Sequence, residues 1–132
     1  MRTITLSLAC AALLTFGGCD QERRHTELAP QFTVKAFETI QNGDSVELVR
    51  QKLGTPFQCD LFLIDKELGR GLPNWGEDVI PFEDIPRRTA DPNVCVRVYY
   101  SRPESPGDAY WLYWVQFINN RVENKASGVV GD

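Results

Sequence analysis

The sequence predicts an α+β fold in which two N-terminal helices pack on an antiparallel sheet of three strands, or of four. Apolar residues recur at helical spacing between residues 33 and 53, whereas residues 94–101 alternate as a strand does and a tight-turn signal at Asn119-Asn120 joins two further strands. Two cysteines left in the folded body of an exported chain predict a disulfide that staples a long loop. With 132 residues, the chain accommodates one domain.

The first 18 residues have the anatomy of a signal peptide. Arg2 precedes an apolar run from Ile4 to Phe16, which is shorter than the roughly 20 residues of a membrane-spanning helix. The stretch Leu14-Thr15-Phe16-Gly17-Gly18-Cys19 resembles a bacterial lipobox. The resemblance implies that residues 1–18 are removed and that Cys19 is acylated, which anchors the chain to a membrane without crossing it. The alternative is an ordinary signal peptide with an incidental cysteine.

Residues 19–31 are polar and charge-rich, and predict a tether between the lipid and a domain at 32–130. Asp20 resembles the signal that retains enteric lipoproteins at the inner membrane, whereas the family resemblance described below implies the outer membrane. Both locations, with the domain facing the periplasm, stay open.

The first predicted helix begins at Thr33, which is a good N-cap, and Phe32 can pack against Phe37 across its first turn. Asn42-Gly43 is predicted to end this helix, because glycine readily adopts the left-handed conformation of a C-cap.

A second helix is predicted to follow at once, capped by Asp44 or Ser45. It buries an apolar stripe of Val46, Val49 and Leu53, and it ends at Gly54 and Pro56.

Residues 57–93 form an inserted segment, with a short strand predicted at 57–64 and an irregular loop at 65–93. A loop this long is typically functional or disordered, and this one is too apolar to be simply disordered. Trp75, between Asn74 and Gly76, is the best candidate for a contact with a partner, and Leu72 and Phe82 are further candidates from the same segment.

Of the four cysteines, Cys10 leaves with the signal peptide and Cys19 takes lipid, so Cys59 and Cys95 remain. An even pair in an exported domain favours a disulfide, which would contribute on the order of 3.5 kcal/mol to stability. The alternative is a pair of buried free thiols.

Three strands are predicted in the last third, at residues 94–101, 110–118 and 121–125, with a tight turn at Asn119-Asn120. Six aromatic residues lie on the first two of these strands or beside them: Tyr99, Tyr100, Tyr110, Trp111, Tyr113 and Trp114. They fit either a packed core or an exposed binding platform, and the core is the favoured interpretation, with the long loop covering the second face of the sheet.

The run Phe37–Gly43, followed by Ser45, Val49 and Leu53–Pro56, is similar to the signature of the SmpA/OmlA/BamE-like small lipoproteins. That signature leads from an I-x-x-G-[MD]-[ST] turn to V-x-x-x-L-G-x-P. The resemblance covers residues 32–56 and 94–126, and it implies two helices packed on one face of a three-stranded sheet, as in the related β-lactamase-inhibitory-protein repeat. Structural roles are implied for Gly43, Ser45, Val49, Leu53, Gly54 and Pro56. The resemblance also implies an accessory role in the assembly of outer-membrane β-barrel proteins.

Few residues suggest catalysis. The single histidine, His25, lies in the predicted tether, so it cannot complete a hydrolytic triad in the domain. The pairs Glu77-Asp78 and Glu83-Asp84 are typical of a solvated surface, and no calcium-loop spacing is present. The formal net charge of −4 disfavours nucleic acid.

These observations predict a non-catalytic protein-binding lipoprotein of the bacterial envelope, without metal or cofactor. Its expected partner is another envelope protein, with the barrel-assembly machinery suggested by the resemblance. Two other functions stay open: inhibition of a periplasmic enzyme, and a purely structural role in the envelope.

Overall fold

The computed structural model describes residues 25–65, 70–71 and 79–131. Seven strands occur in this part of the chain: β1 (Thr26–Leu28), β2 (Gln58–Asp65), β3 (Arg70–Gly71), β4 (Val94–Tyr99), β5 (Ser101–Pro103), β6 (Tyr110–Ile118) and β7 (Arg121–Val130). They form an antiparallel sheet in the order β3-β2-β4-β6-β7 and a small two-stranded sheet of β1 and β5.

The helices are short. They are α1 (Val34–Glu38), α2 (Val46–Leu53) and α3 (Ile85–Arg88), and a 3-10 turn at Phe82–Asp84 precedes α3. No helix in the described ranges is long and apolar enough to cross a bilayer.

The predicted fold class is therefore wrong. Instead of two helices on a three- or four-stranded sheet, the domain is dominated by a five-stranded sheet with a second small sheet beside it. The strand predicted at 57–64 is present as β2, but β1, β3 and β5 are additional strands, and α1 stops at Glu38 instead of reaching Asn42-Gly43. Both changes depend on pairing between residues far apart in the chain, which local periodicity does not encode.

Several local predictions are confirmed. The side chains of Thr33 and Ser45 accept hydrogen bonds from the backbone N–H groups of Ala36 and Leu48, so both residues cap their helices. Gly54 ends α2 with a positive φ of 76°.

The predicted tight turn is also present between β6 and β7. Asn119 and Asn120 both have positive φ, at 50° and 61°, which is the geometry of a two-residue hairpin turn.

The core lies on one face of the five-stranded sheet, which we call the core face. Strand residues that point to this face include Leu61, Val96, Val98, Val115 and Phe117. They pack against the apolar sides of α1 and α2, which contribute Phe37, Val46, Val49 and Leu53. This cluster is the main source of hydrophobic stabilisation.

Part of segment 79–93, predicted as an irregular loop, contributes to this core. Ile80, Phe82 and Ile85 are buried in the same cluster, and the backbone N–H of Ile80 bonds to the carbonyl of Cys59. Thr89 fixes α3 to the β6–β7 turn, because its hydroxyl oxygen accepts a hydrogen bond from the N–H of Asn120.

The folded domain begins before residue 32, within the segment 19–31 that was predicted to be a tether. Thr26–Leu28 pairs with Ser101–Pro103 as β1, and Ala29 is buried in the core. Phe32 stacks on Tyr100, with the ring centroids 5.3 Å apart. Residues 26–31 therefore belong to the folded domain.

The predicted disulfide is also wrong, because Cys59 and Cys95 are both free. They lie on the paired strands β2 and β4, but Cys59 is opposite Val98 and Cys95 is opposite Phe62. The offset of three residues separates them by roughly 10 Å along the strands and points their side chains to opposite faces of the sheet.

Candidate functional site

The second side of the five-stranded sheet, which we call the outer face, carries side chains that differ from those of the core face. Because successive strand residues alternate, Tyr99 and Trp114 point away from the core while their neighbours Tyr100 and Tyr113 point into it. The outer face is built from Asp60, Phe62, Cys95, Arg97, Tyr99, Tyr110, Leu112, Trp114, Gln116, Ile118 and Glu123. Most of these residues are half-buried.

Arg97 occupies the middle of the outer face. The central carbon of its guanidinium group lies 4.2 Å from the ring centroid of Trp114 and 5.5 Å from that of Phe62. Arg97 Nη2 and Nε also donate to Gln116 Oε1 at 3.0 and 3.3 Å. These contacts hold the cation in one position between two aromatic rings.

A row of polar side chains crosses four strands through Arg97. Asp60, Arg97 and Gln116 are direct register neighbours on β2, β4 and β6. The amide of Gln116 donates in turn to the carboxylate of Glu123, where β7 has an irregularity beside Asn124. Gln116 is almost fully buried, and its hydrogen bonds with Arg97 and Glu123 give both its amide oxygen and its amide nitrogen a partner.

Tyr99 extends this polar row toward one end of the sheet. The pKa of the Tyr99 hydroxyl is raised above its usual value. Burial is the largest cause, Arg97 opposes it by lowering the pKa, and Asp60 raises the pKa further. Tyr99 is therefore neutral at physiological pH and can donate or accept a hydrogen bond.

A hollow of about 290 Å³ adjoins Tyr99. It is lined by Phe57, Gln58, Asp60, Tyr99, Ser101, Arg102 and Tyr110. The guanidinium carbon of Arg102 lies 4.1 Å from the ring centroid of Phe57. Its Nε and Nη2 donate to the two carboxylate oxygens of Glu27 at 2.8 and 3.0 Å. The outer face therefore ends in a concave region with aromatic walls and several hydrogen-bonding groups.

A second hollow, of about 270 Å³, lies between the start of α2 and the 3-10 turn. It is lined by Ser45, Val46, Glu47, Arg50, Phe82, Glu83, Pro86 and Asn120. Phe82, a sequence candidate for partner contact, is only 7% exposed here and packs with the core. Its position indicates a packing role, with one edge available to this hollow.

The other residues singled out in the sequence fall into two groups. Leu72, Trp75 and the lipidation candidate Cys19 lie outside the described residues. The family-motif residues are structural where they stand: Val49 and Leu53 are buried on α2, and Ser45 caps that helix. Gly43 has a φ of 94°, a conformation that a residue with a side chain rarely adopts.

The described part of the chain has few side chains suited to metal binding or nucleophilic chemistry. No group of three histidine, cysteine or acidic side chains there lies close enough to hold a metal ion. Burial raises the pKa of the Cys59 thiol to about 12 and that of Cys95 to about 11, so both stay protonated and unreactive at neutral pH.

Comparison with protein-family models, with curated proteins and with solved structures gives no match for this chain. We therefore infer function from the geometry of the outer face.

Sequence reasoning missed Arg97, Asp60 and Gln116 as site residues. The signal was present in the alternation of residues 94–99, where apolar Val94, Val96 and Val98 interleave with Cys95, Arg97 and Tyr99. A strand that alternates valine with arginine and tyrosine presents its second face to something other than an aliphatic core.

Proposed function

We propose that this chain is a non-catalytic, protein-binding lipoprotein of the bacterial envelope, and that it binds its partner through the outer face of the sheet. The observation that carries the proposal is Arg97, held between the rings of Trp114 and Phe62 in the middle of a half-buried face. Tryptophan, tyrosine and arginine are the residues most enriched among binding hot spots.

The composition of the outer face supports a contact surface over a solvated one. A sheet face that only meets water typically carries polar side chains at every second position. Here Phe62, Leu112, Trp114 and Ile118 place large apolar groups on that face. These apolar groups lie on both sides of the polar row through Arg97, so the face combines apolar contact area with groups that can hydrogen-bond to a partner.

The outer face is also pre-organised. Arg97 is fixed by Gln116, and Gln116 is fixed by Glu123, so little side-chain freedom remains to be lost on binding. Each side chain that is already ordered avoids an entropic cost of about 0.5–1.5 kcal/mol on association.

The envelope location rests on the lipobox resemblance at Leu14–Cys19. Six residues lie between Cys19 and Thr26 in β1, and the seven Cα–Cα steps from one to the other span at most roughly 25 Å when fully extended. A chain anchored at Cys19 would hold the domain close to the bilayer, so we expect a partner at the membrane surface. The family resemblance makes the barrel-assembly machinery the first partner to test.

The decisive experiment is an affinity purification of the lipidated protein from gently solubilised envelopes, with quantitative mass spectrometry. Trp114→Ala and Arg97→Ala are the test variants. Leu63→Ala is the matched control, because Leu63 is an exposed apolar residue on the opposite side of the same sheet. We expect both test variants to lose a partner that the control retains.

Retention of every partner by Trp114→Ala and Arg97→Ala would overturn the outer face as the binding surface. Loss with Trp75→Ala alone would assign binding to segment 72–78 instead. Enrichment of barrel-assembly subunits would support the role implied by the resemblance, and their absence from a reproducible complex would remove it.

The anchor has its own test. Cys19→Ala should abolish incorporation of a palmitate analogue and leave an uncleaved precursor. A variant that is still labelled would contradict acylation at Cys19.

A further inference from the structure

The two edges of the five-stranded sheet are covered to different extents. On one side, β2 is flanked by β3 and by a bridge between Asp60 and Val79. On the other side, β7 ends the strand order, so no strand of the described part pairs with its outer edge. A strand edge with unpaired N–H and C=O groups is a template for pairing with another strand.

The first half of β7 is covered by other means. Val122 exchanges two backbone hydrogen bonds with the turn before α2, at the N–H of Gly43 and the carbonyl of Asp44. Lys125 donates from Nζ to the carbonyls of Phe37 and Glu38 at the end of α1. The backbone of this half is therefore satisfied or shielded.

The direction of the remaining edge groups follows from Lys125. Its backbone N–H bonds to the Oδ1 of Asn124 and so points away from β6. Because alternate residues of a strand direct their backbone groups to the same side, Ser127 and Val129 also direct theirs away from β6.

The second half of β7 lacks the features that normally protect an edge. Residues 126–130, Ala-Ser-Gly-Val-Val, contain no charge and no proline, and Val129 and Val130 are 46% and 38% exposed. A Cβ atom added at Gly128 would meet nothing within 4 Å. Charged side chains, prolines and bulges are the usual protection of edges, and here the bulge lies before residue 125.

We propose that two copies of this chain associate by antiparallel pairing of residues 126–130 of β7, centred on Gly128. In this register Ala126 faces Val130 and Ser127 faces Val129 of the second copy, so no like charges meet. Gly128 faces its own equivalent, where the absence of side chains leaves the backbones free to approach. Two copies of an uncharged strand meet without repulsion between like charges. In a dimer with a two-fold axis each contact between different residues occurs twice.

The pairing joins two sheets into one and brings the two outer faces to the same side. Five residues per strand make a small interface, but chains anchored in one membrane meet at a raised effective concentration. The proposal does not depend on the identity of the protein partner.

Oxidative cross-linking of the full chain in membranes tests the register. By the direction of the edge groups, Gly128 lies in a non-hydrogen-bonded pair, where the two Cα atoms are close enough for a disulfide. Gly128→Cys should therefore shift to a dimer on a non-reducing gel. Ser105→Cys, in the exposed turn before β6, is the matched control and should stay monomeric.

A second variant separates edge pairing from random collision. Ser127→Pro removes an N–H that makes no bond to β6, so the fold should survive, with the circular dichroism spectrum as the check. Added to Gly128→Cys, it should abolish the cross-link, whereas Ser127→Thr should preserve it.

Three outcomes would overturn the proposal. Gly128→Cys could cross-link no more than Ser105→Cys, or it could cross-link undiminished when Ser127→Pro is present. A mixture of Ala126→Cys and Val130→Cys chains could also fail to form the mixed dimer that this register requires.

Discussion

The core face and the outer face of the same sheet use similar residues in opposite ways. On the core face, Tyr100, Tyr113 and Phe117 are buried together under α1, α2 and residues 80–89. On the outer face, aromatic rings alternate with Asp60, Arg97 and Gln116, and most of them keep a solvent-accessible edge. Adjacent residues such as Tyr113 and Trp114 thus point to opposite sides of one strand, Tyr113 into the core and Trp114 to the face that we propose binds a partner. We expect substitutions on the two faces to separate stability from binding.

The largest difference is expected between Phe117→Ala and Trp114→Ala. Phe117 is fully buried, so its truncation should lower the free energy of unfolding by about 3–5 kcal/mol. Trp114 is half-buried, and its truncation should cost about 1 kcal/mol, chiefly through the lost contact with Arg97. Urea unfolding of both variants measures the difference. Equal losses would mean that the outer face is a second core.

Substitution of a buried polar side chain should also lower the free energy of unfolding more on the core face than on the outer face. Thr89 is fully buried, and its hydroxyl both donates to the carbonyl of Ile85 at 2.8 Å and accepts from Asn120 at 3.0 Å. Thr89→Val keeps the shape but removes both hydrogen bonds, and at about 0.5–1.5 kcal/mol for each bond the substitution should cost about 1–3 kcal/mol.

The outer-face counterpart of Thr89→Val is Gln116→Leu, which removes the acceptor of Arg97. Because Arg97 keeps access to water, the loss of stability should be smaller, whereas partner binding should weaken. A larger loss of stability for Gln116→Leu than for Thr89→Val would contradict this distinction.

Sequence patterns predicted the local parts of this structure. Helix caps at Thr33 and Ser45 and the Asn119-Asn120 hairpin depend on residues within four positions of one another. The pairing of β2 with β4 and the packing of residues 79–93 depend on contacts between distant segments, so no local pattern specified them.

The missed site residues and the wrong disulfide have a different cause. The alternation of side chains along each strand, which separates the two faces of the sheet, was visible in the sequence. Cys59 alternates in phase with Leu61 and Leu63, and Cys95 alternates out of phase with Val96 and Val98. Once both strands share one core face, the two thiols must point to opposite faces. The same reasoning separates Tyr99 and Trp114 from the core aromatics.

A smaller effect is expected for the cap of the helix that covers the core face. Ser45→Ala removes the acceptor of the Leu48 N–H at 3.1 Å and should lower stability by about 1 kcal/mol. Thr33→Ala at the shorter α1 is the comparison and should cost no more. Neither substitution should weaken partner binding, which the affinity purification checks. Loss of the partner in a folded Ser45→Ala protein would place binding at the start of α2.

The smallest effect at neutral pH concerns the two thiols, one on each face. In the native protein neither Cys59 nor Cys95 should react with a thiol reagent, and after denaturation without reductant both should react. Failure to label the denatured chain would restore the disulfide.

The same thiols should make the domain less stable at high pH. An unfolded thiol has a pKa near 9.0, whereas burial raises that of Cys95 to about 11 and that of Cys59 to about 12. Because the folded pKa is the higher one, the stabilisation is complete below pH 9 and is lost as pH rises toward 11–12. Each thiol contributes a slope of at most about 1.4 kcal/mol per pH unit in this window. The unfolding free energy of Cys95→Ala should therefore fall less steeply between about pH 9 and 11 than that of the unmodified protein. For Cys59→Ala the shallower fall should extend to about pH 12. Unchanged slopes in both variants would show that neither thiol is shielded from water, and the outer face could not then pack around Cys95 as described.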